Sequence, residues 1–285
     1  MLISSSDTFT KPANTDPIHW EVLALRYGWQ ARRASDNFIH SSDPHDSDMP
    51  LDYFVWLLRA GDREIVVDTG FGRTVADKRA DPADPRTRTL TRGVDEALRA
   101  AGCEPDRVAN VVLTHLHYDH AGNLDLFPQA QFHLQEREMS FATGRHMCVG
   151  CMRGAFEVED VVRMVRAVYA NRVSFHDGDA VIAPGVSLHR VGGHTDGLQM
   201  VRVETARGPV VLASDAAHLY ANMERKEPFP IVFNLGDMAD GWRRAHALAG
   251  HEDRIIPGHD PAVRARYPAL AGSDGETVQL HLAPL

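Results

Sequence analysis

Short apolar runs separated by turn-forming segments recur along most of the chain, a pattern typical of a protein rich in β-strands. We predict strands at 52–59, 64–67, 108–113, 131–134, 186–191, 199–204, 209–213 and 255–256. Glycine-containing turns at 60–63 and 206–208 join two pairs of these strands as hairpins. Apolar residues at helical spacing predict helices at 93–101, 156–170 and 237–248.

Two polar segments depart from this pattern. Residues 1–20 predict a loose N-terminal arm or a leading strand, and residues 28–50, which hold few apolar anchors, predict a long loop. Long ordered loops often carry function. Because no linker or low-complexity tract interrupts the rest, we predict a single domain over 1–285, with the arm at about 1–20.

The composition excludes several classes of function. The 285 residues are 44% hydrophobic, which supports a substantial core, and the net charge of −9 with no basic run argues against nucleic acid as a partner. The polar N-terminus lacks the apolar segment of a secretory signal, and no apolar stretch approaches the roughly 18 residues of a membrane span. An odd number of cysteines, three, argues against a disulfide framework. These features predict a cytoplasmic protein that does not act at a membrane.

Side chains of the kind that bind metals follow four of the predicted strands. Imidazole and carboxylate are preferred ligands of zinc and related divalent ions. A single histidine at a strand end is more often structural, but together these residues could supply the eight bonds of two four-ligand sites if one carboxylate bridged. The candidate ligands are His115, His117, Asp119 and His120 after the strand at 108–113, then His194, Asp215 and His259. We therefore expect two divalent metal ions, with zinc the expected metal and manganese, iron or cobalt as alternatives.

These motifs resemble the metallo-β-lactamase superfamily over roughly residues 50–265. The resemblance implies an α/β fold of the αββα type, in which two β-sheets pack between outer helices. It also implies that Asp215 bridges two metals and that Asp68 orients a ligand imidazole by accepting its free N–H, a role that Asp260 is also expected to share. The implied ligands are His115, His117 and His194 for one metal, and Asp119, His120 and His259 for the other.

Within the superfamily, the chain is most similar to the N-acyl homoserine lactonases. Flavodiiron proteins carry a glutamate where this chain has His117, and class B β-lactamases lack the aspartate found here as Asp215. Glyoxalase II adds a helical domain after the last histidine, and nucleases add a domain or an RNA-binding arm. The matching segments are 114–122, 193–195, 214–216 and 258–260.

One position differs from the lactonase pattern. Those enzymes carry a tyrosine three residues after the bridging aspartate, where it helps to polarise the lactone carbonyl. This chain has His218 there, with Tyr220 two residues further on. We predict that His218 or Tyr220 takes that role, and a solvent-exposed loop histidine is the alternative for His218. The expected substrate is a small-molecule lactone resembling an N-acyl homoserine lactone, or a carboxylic ester.

The resemblance implies that a metal-bridging hydroxide attacks the carbonyl carbon and that Asp119 accepts a proton and returns it to the leaving group. A thioesterase or phosphoesterase on the same scaffold is the alternative activity. A non-catalytic relative would have lost metal ligands, and none is missing here. We expect the segments 28–50, 138–156 and 218–235 to form the walls of the substrate pocket. The N-terminal arm also allows a homodimer.

Smaller features carry weaker expectations. Cys148 and Cys151 form a lone CxxC motif that lacks the further ligands of a structural zinc site. Cys103 follows a predicted helix end and is expected to be buried. The pairs at 32–33 and 243–244 are arginines that we expect on solvated faces.

Overall fold

The computed structural model describes residues 18–40, 46–81, 83–84 and 87–285, so most of the predicted N-terminal arm lies outside the described residues. The strands are β1 (Glu21–Gln30), β2 (Leu51–Ala60), β3 (Arg63–Val67), β4 (Arg88–Leu90), β5 (Asn110–Val112), β6 (Gln131–Gln135), β7 (Val173–His176), β8 (Ala180–Ala183), β9 (Val186–Arg190), β10 (Gln199–Thr205), β11 (Gly208–Ser214), β12 (Ile255–Pro257) and β13 (Thr277–Gln279). The α-helices are α1 (Arg73–Lys78), α2 (Val94–Ala100), α3 (Tyr118–Ala121), α4 (Glu136–Thr143), α5 (Gly150–Arg153), α6 (Val158–Tyr169), α7 (Tyr220–Glu224), α8 (Leu235–Ala249) and α9 (Ala262–Arg266).

The strands form two sheets. The first has the order β13-β1-β2-β3-β5-β6-β7, with β4 paired to β1, and the second has the order β12-β11-β10-β9-β8. Strands β3, β5, β6 and β7 are parallel, as are β11 and β12. Parallel neighbours end at the same edge of their sheet, so the segments that follow β3 and β5, and those that follow β11 and β12, start close together.

The two sheets pack face to face because their strands alternate between two apolar faces. On β2, Trp56 belongs to the core between the sheets, whereas Val55 belongs to the outer core of the first sheet. On β11, Leu212 faces the core between the sheets and Ala213 faces outward. This burial on both faces explains why both strands are almost continuously apolar.

Helices cover both outer faces. Leu98 of α2 and Met164 of α6 pack on the first sheet, and Ala245 and Ala249 of α8 pack on the second. The resulting order of layers is helix, sheet, sheet, helix, which confirms the predicted αββα sandwich. Among the described residues, no helix combines the length and the apolar character that a bilayer crossing requires.

All of the predicted strands and helices are present, with boundaries within two residues of those expected. The loop prediction for 28–50 is wrong at its start, because β1 continues to Gln30 and pairs with β2 and β4. Strand β1 was not predicted because charged residues interrupt its apolar pattern. One of these, Arg26, is paired with Asp52 at 2.7 Å and with Glu276 at 2.9 Å, which allows it to lie within the sheet.

Candidate metal centre

Abrupt turns at the strand ends deliver the candidate ligands. Strand β5 ends at Val112, and α3 begins directly after His117, so the ligand segment folds back within a few residues. Asp68 after β3 and Ser214 at the end of β11 have φ angles of 61° and 47°, in the left-handed region that costs energy for residues other than glycine. Gly193, with a φ of 91°, makes the same kind of turn before His194 without that cost. Two of the turns at this site therefore place a residue other than glycine in the left-handed region.

The first cluster consists of three imidazoles and one carboxylate oxygen. His117 Nδ1 lies 3.0 Å from His115 Nε2 and 2.9 Å from His194 Nε2. Asp215 Oδ2 lies 3.1 Å from His194 Nε2 and 3.7 Å from His115 Nε2. All four residues are buried, and their ligand atoms lie within 4.8 Å of one another. This is the set implied for the first metal.

The second cluster faces the other oxygen of the same carboxylate. Asp215 Oδ1 lies 3.0 Å from His259 Nε2 and 3.3 Å from His120 Nε2. Asp119 Oδ2 lies 3.8 Å from each of these two nitrogens. The two oxygens of Asp215 thus each face one cluster, which is the arrangement that a bridging ligand requires.

The donor atoms fit two divalent metal ions. His120 Nε2 and Asp215 Oδ1 are buried without a hydrogen-bond partner, although such atoms are costly to leave unpaired. Tetrahedral geometry with metal–nitrogen bonds of about 2.0–2.1 Å would separate ligand atoms by about 3.3 Å. The nitrogen–nitrogen distances of 2.9 and 3.0 Å in the first cluster are close to that value. Imidazoles and carboxylates also form the donor set that suits zinc and related ions.

Contacts behind the imidazoles fix their orientation. His120 Nδ1 lies 2.7 Å from Asp68 Oδ2, His194 Nδ1 lies 2.6 Å from the Ile231 carbonyl oxygen, and His259 Nδ1 lies 3.0 Å from the Asp52 carbonyl oxygen. An N–H donated to each oxygen leaves the Nε2 lone pair directed at the clusters. The predicted contact of Asp68 with a ligand imidazole is confirmed.

The same prediction for Asp260 is wrong. Its two carboxylate oxygens accept hydrogen bonds from the backbone N–H groups of Tyr220, at 2.9 Å, and Ala262, at 2.8 Å. These bonds tie α7 to the start of α9. Asp260 therefore supports the loop that follows His259, and the imidazole of His259 finds its partner in the backbone of β2.

A buried carboxylate that sequence reasoning did not identify joins two of the ligand loops. Glu138 of α4 is fully buried. Its Oε1 accepts from the Leu116 N–H at 3.0 Å, between two ligands, and its Oε2 accepts from the Thr195 hydroxyl at 2.6 Å and the Gly197 N–H at 3.1 Å. A glutamate on an amphipathic helix gives no local signal of this role, because its partners lie far away in the sequence.

The electrostatics of the site keep His115 and His117 neutral and favour positive charge in the second cluster. Burial, together with the neighbouring imidazoles, holds the pKa values of His115 and His117 well below the usual range, so both are unprotonated as metal binding requires. Burial opposes a charge on His120, but Asp215, Asp68 and Asp119 outweigh it and raise the pKa of that imidazole. Three carboxylates around one point attract positive charge, which a divalent ion would provide.

His218 and Tyr220, the two candidates for the role of the lactonase tyrosine, lie in different places. His218 is buried beside the clusters, with Nε2 3.0 Å from Asp215 Oδ2 and its ring stacked on Phe229 at 3.7 Å. Burial lowers the pKa of His218 to about 3, against the opposing effect of Asp215. At neutral pH, any hydrogen bond it donates must therefore come from the neutral N–H tautomer.

Tyr220 lies elsewhere. Its ring packs in the core between the sheets, beneath the Arg266 guanidinium at 3.9 Å, and it lines a different cavity from the one at the clusters. The prediction that Tyr220 could contact the substrate carbonyl is wrong, because the first residue of α7 points its side chain into the core. His218 is the candidate that the structure brings to the site.

A cavity of about 120 Å³ opens onto the clusters. Each of the three predicted wall segments contributes to it: Gln30 and Arg32, then Gly154 and Ala155, then His218, Phe229 and Ile231. Arg32, predicted on a solvated face, is half-buried and lines this cavity. Residues outside the predicted segments also line the cavity, namely Leu51, Tyr53, Arg79, Arg88 and Tyr118.

The cysteines take no part in this site. Cys103 is buried, as predicted, whereas Cys148 and Cys151 are exposed. Among the described residues, the groups that could hold a metal consist of histidines and aspartates only. They include the two clusters above and a third group formed by Asp215, His218 and His259.

Comparisons with known proteins give the site a family context. An N-acyl homoserine lactonase from a Bacillus species is 28% identical over 189 residues, which cover 63% of this chain and 70% of the relative. Among solved structures, an N-acyl homoserine lactone hydrolase with the product N-hexanoyl-L-homoserine bound at its catalytic metal centre superposes with a TM-score of 0.70 at 22% identity. That match covers 87% of this chain and 96% of the other.

A second solved structure has the same fold. AidC, a dizinc quorum-quenching lactonase in complex with its product, superposes with a TM-score of 0.66 at 17% identity, over 86% of this chain and 89% of the other. The model of the metallo-beta-lactamase superfamily matches residues 49–259, a span that holds every candidate metal ligand. The chain belongs to the metallo-beta-lactamase superfamily.

Proposed function

We propose that the protein is a metal-dependent hydrolase with a two-metal centre that opens the ring of N-acyl homoserine lactones. The observation that carries this proposal is the position of Asp215, whose two oxygens each face one buried cluster of ligand atoms. The resemblance to N-acyl homoserine lactonases supports the choice of substrate. We propose zinc as the metal, because imidazole and carboxylate donors suit it.

The proposed ligands follow the two clusters. His115, His117 and His194 would hold one ion, and Asp119, His120 and His259 would hold the other, with Asp215 shared between them. Two divalent ions bound there would lower the pKa of a bound water to about 7 and polarise the carbonyl of the substrate. The carboxylates of the site would offset part of the charge of the ions.

We assign proton transfer to Asp119. Its carboxylate is nearly buried but lines the cavity, and Oδ2 lies 3.8 Å from both His120 Nε2 and His259 Nε2. A carboxylate at the boundary between the clusters and the cavity can accept a proton from the attacking water. It can then return that proton to the alkoxide oxygen that leaves when the ring opens.

We assign contact with the carbonyl oxygen to His218. Its ring lines the cavity, and the stack on Phe229 limits its rotation. The Nε2–H group now faces Asp215 Oδ2 at 3.0 Å. Once the metals engage that carboxylate, the same N–H could donate to a carbonyl oxygen in the cavity, in place of the tyrosine hydroxyl of the related lactonases.

The remaining walls suit an acyl chain. Leu51, Phe229 and Ile231 give the cavity an apolar side, and an apolar surface of this kind binds alkyl groups by excluding water. An ester with the same acyl group would satisfy the same contacts. The sequence-based expectations of a cytoplasmic location and of a homodimer remain predictions.

A substrate panel tests the proposal. Zinc-loaded protein would be assayed with N-hexanoyl homoserine lactone, p-nitrophenyl hexanoate, a hexanoyl thioester and bis-p-nitrophenyl phosphate. We expect the highest kcat/KM for the lactone. A higher value for the thioester or for the phosphodiester would replace the proposal with the corresponding alternative activity. Asp119→Asn and His218→Phe variants should lower kcat while metal is retained in the His218 variant.

A further inference from the structure

Three guanidinium groups line the cavity above the clusters. They belong to Arg32, Arg79 and Arg88, and the only carboxylates among the described lining residues are Asp119 and Asp215, both within the candidate ligand set. The whole chain carries a net charge of −9, whereas three cations come together on this cavity wall. With metals bound, the cavity would become still more positive.

All three nitrogens of the Arg79 guanidinium donate hydrogen bonds within the protein. Its Nε donates to Glu157 at 2.7 Å, and its two terminal nitrogens donate to the carbonyl oxygens of Gly154 and Phe156 at 3.1 and 3.3 Å. Its guanidinium lies 3.9 Å from the centre of the Tyr118 ring. Arg79 therefore forms part of the wall, with its charge offset by Glu157.

Arg88 differs because no carboxylate among the described residues is hydrogen-bonded to it. Its Nε donates to the Tyr118 hydroxyl at 2.6 Å, and no carboxylate among the described residues forms an ion pair with it. The Tyr118 hydroxyl lies 3.1 Å from that of Tyr53, which in turn donates to Gln30 Oε1 at 3.0 Å. This series of hydrogen bonds directs the hydroxyl hydrogens of Tyr118 and Tyr53 away from Arg88, so that the Tyr118 oxygen accepts the hydrogen bond from Arg88 Nε.

The Arg88 guanidinium is thus held in place through Nε, and its two terminal nitrogens have no hydrogen-bond acceptor among the described residues. A planar guanidinium with both terminal nitrogens available matches a carboxylate or phosphate in two parallel hydrogen bonds. Arg32 adds a second cation to the same cavity, with its guanidinium 4.9 Å from the Phe229 ring centre. A neutral acyl chain would offer no acceptor to the terminal N–H groups of Arg88.

We infer that the substrate carries an anionic group on its acyl part, and that Arg88 binds this group. The inference rests on the proposed lactonase function and narrows its substrate class to acyl lactones with a carboxylate or a similar anion. The role of Arg88 is selection of the substrate. The ring-opening step itself is the same for a neutral and for an anionic acyl group.

Three sets of homoserine lactones test this inference on the wild-type metal-loaded enzyme. Within each set the acyl chain ends in a methyl, a carboxamide or a carboxylate group, and the sets have four, five and six acyl carbons. We expect kcat/KM for the best carboxylate substrate to exceed that of its carboxamide match at least about tenfold, the size of one charged hydrogen bond. This preference should shrink with added salt, whereas the methyl substrates should be insensitive to it.

Substitutions of Arg88 test whether this residue causes the preference for the carboxylate substrates. Arg88→Gln should reduce the ratio of carboxylate to carboxamide kcat/KM toward one, and Arg88→Lys should retain part of it. Arg243→Gln is the matched control, because it removes the same charge from an exposed residue of α8 and should leave the ratio unchanged. Equal kcat/KM for carboxylate and carboxamide in the wild type, or an unchanged ratio in Arg88→Gln, would overturn the inference while lactonase activity stands. Hydrolysis of none of the lactones would overturn the proposed function and the inference with it.

Discussion

Glu138 accepts a hydrogen bond of 2.6 Å from the hydroxyl of Thr195, the residue that follows the candidate ligand His194. The other oxygen of the same carboxylate holds the backbone N–H of Leu116, between His115 and His117. One buried side chain of α4 thereby joins the two loops that supply the three imidazoles of the first cluster. The position of these imidazoles depends on a residue that touches none of them.

We predict that Glu138→Gln loosens the first cluster. An amide of the same shape must direct its NH₂ group at one of the N–H donors, which leaves buried donors unpaired at a cost of about 1–3 kcal/mol. The variant should melt at a lower temperature and lose metal about 10–100 times more readily than the wild type. Glu136→Gln, an exposed change on the same helix, is the control. Equal melting temperatures and metal contents for the two variants would refute a positioning role for Glu138.

Gly258→Ala should displace the shared carboxylate. A Cβ atom at this position would lie 2.7 Å from Asp215 Oδ1 and 2.9 Å from the carbonyl carbon of Ser214, closer than real contacts allow. Because Oδ1 faces the second cluster, we expect metal loss there, with kcat/KM reduced at least about tenfold. Metal analysis of purified protein measures the effect.

Gly150→Ala provides the comparison for that substitution. A Cβ atom there would meet no heavy atom within 4 Å, so this variant should retain the metal content and activity of the wild type. If Gly258→Ala also kept both metals and full activity, the close contact between residue 258 and Asp215 would not matter for the site.

The three thiols should differ in reactivity. Cys148 and Cys151 are exposed, whereas burial raises the pKa of the Cys103 thiol to about 12. We expect Ellman's reagent at pH 8 to modify two thiols in the native protein and the third only after unfolding. Rapid reaction of all three thiols in the folded protein would contradict the burial of Cys103.

The raised pKa of Cys103 also predicts how stability changes with pH. The unfolded thiol ionises near its ordinary pKa of 9.0, while the folded thiol stays protonated up to about 12. Ionisation therefore favours the unfolded state, and this group's contribution to stability falls as the pH rises above about 9. Denaturant unfolding between pH 8 and 10 should show a smaller loss of stability in Cys103→Ala than in the wild type.

Local sequence information was sufficient to predict the residues of the metal clusters. His115 to His120 follow directly after an apolar strand, and His194, Asp215 and His259 each follow small or turn-forming residues at a strand end. Strand ends meet at the edges of sheets, so these residues converge once the two sheets pack. The contact of Asp68 with His120 was expected only from the resemblance to the family.

The supporting residues could not be predicted in the same way, because their partners are distant in sequence. Glu138 lies 22 residues from Leu116 and 57 from Thr195. Arg88 belongs to a three-residue strand whose pairing with β1 brings it to the cavity. Tyr220 has the residue type expected near the carbonyl, but the start of α7 directs its ring into the core. Tertiary packing, more than local pattern, decides which polar residues reach the cavity.

The shared position of Asp215 between two clusters is the central feature of this account, and the metal content of Asp215→Ala tests it most directly. Wild-type protein purified without chelators should contain two divalent ions per chain. We predict that Asp215→Ala retains fewer than one and has no measurable lactonase activity, because both clusters lose an oxygen ligand at once. Two metals per chain and full activity in this variant would contradict the bridging role of Asp215 and the two-metal site built on it.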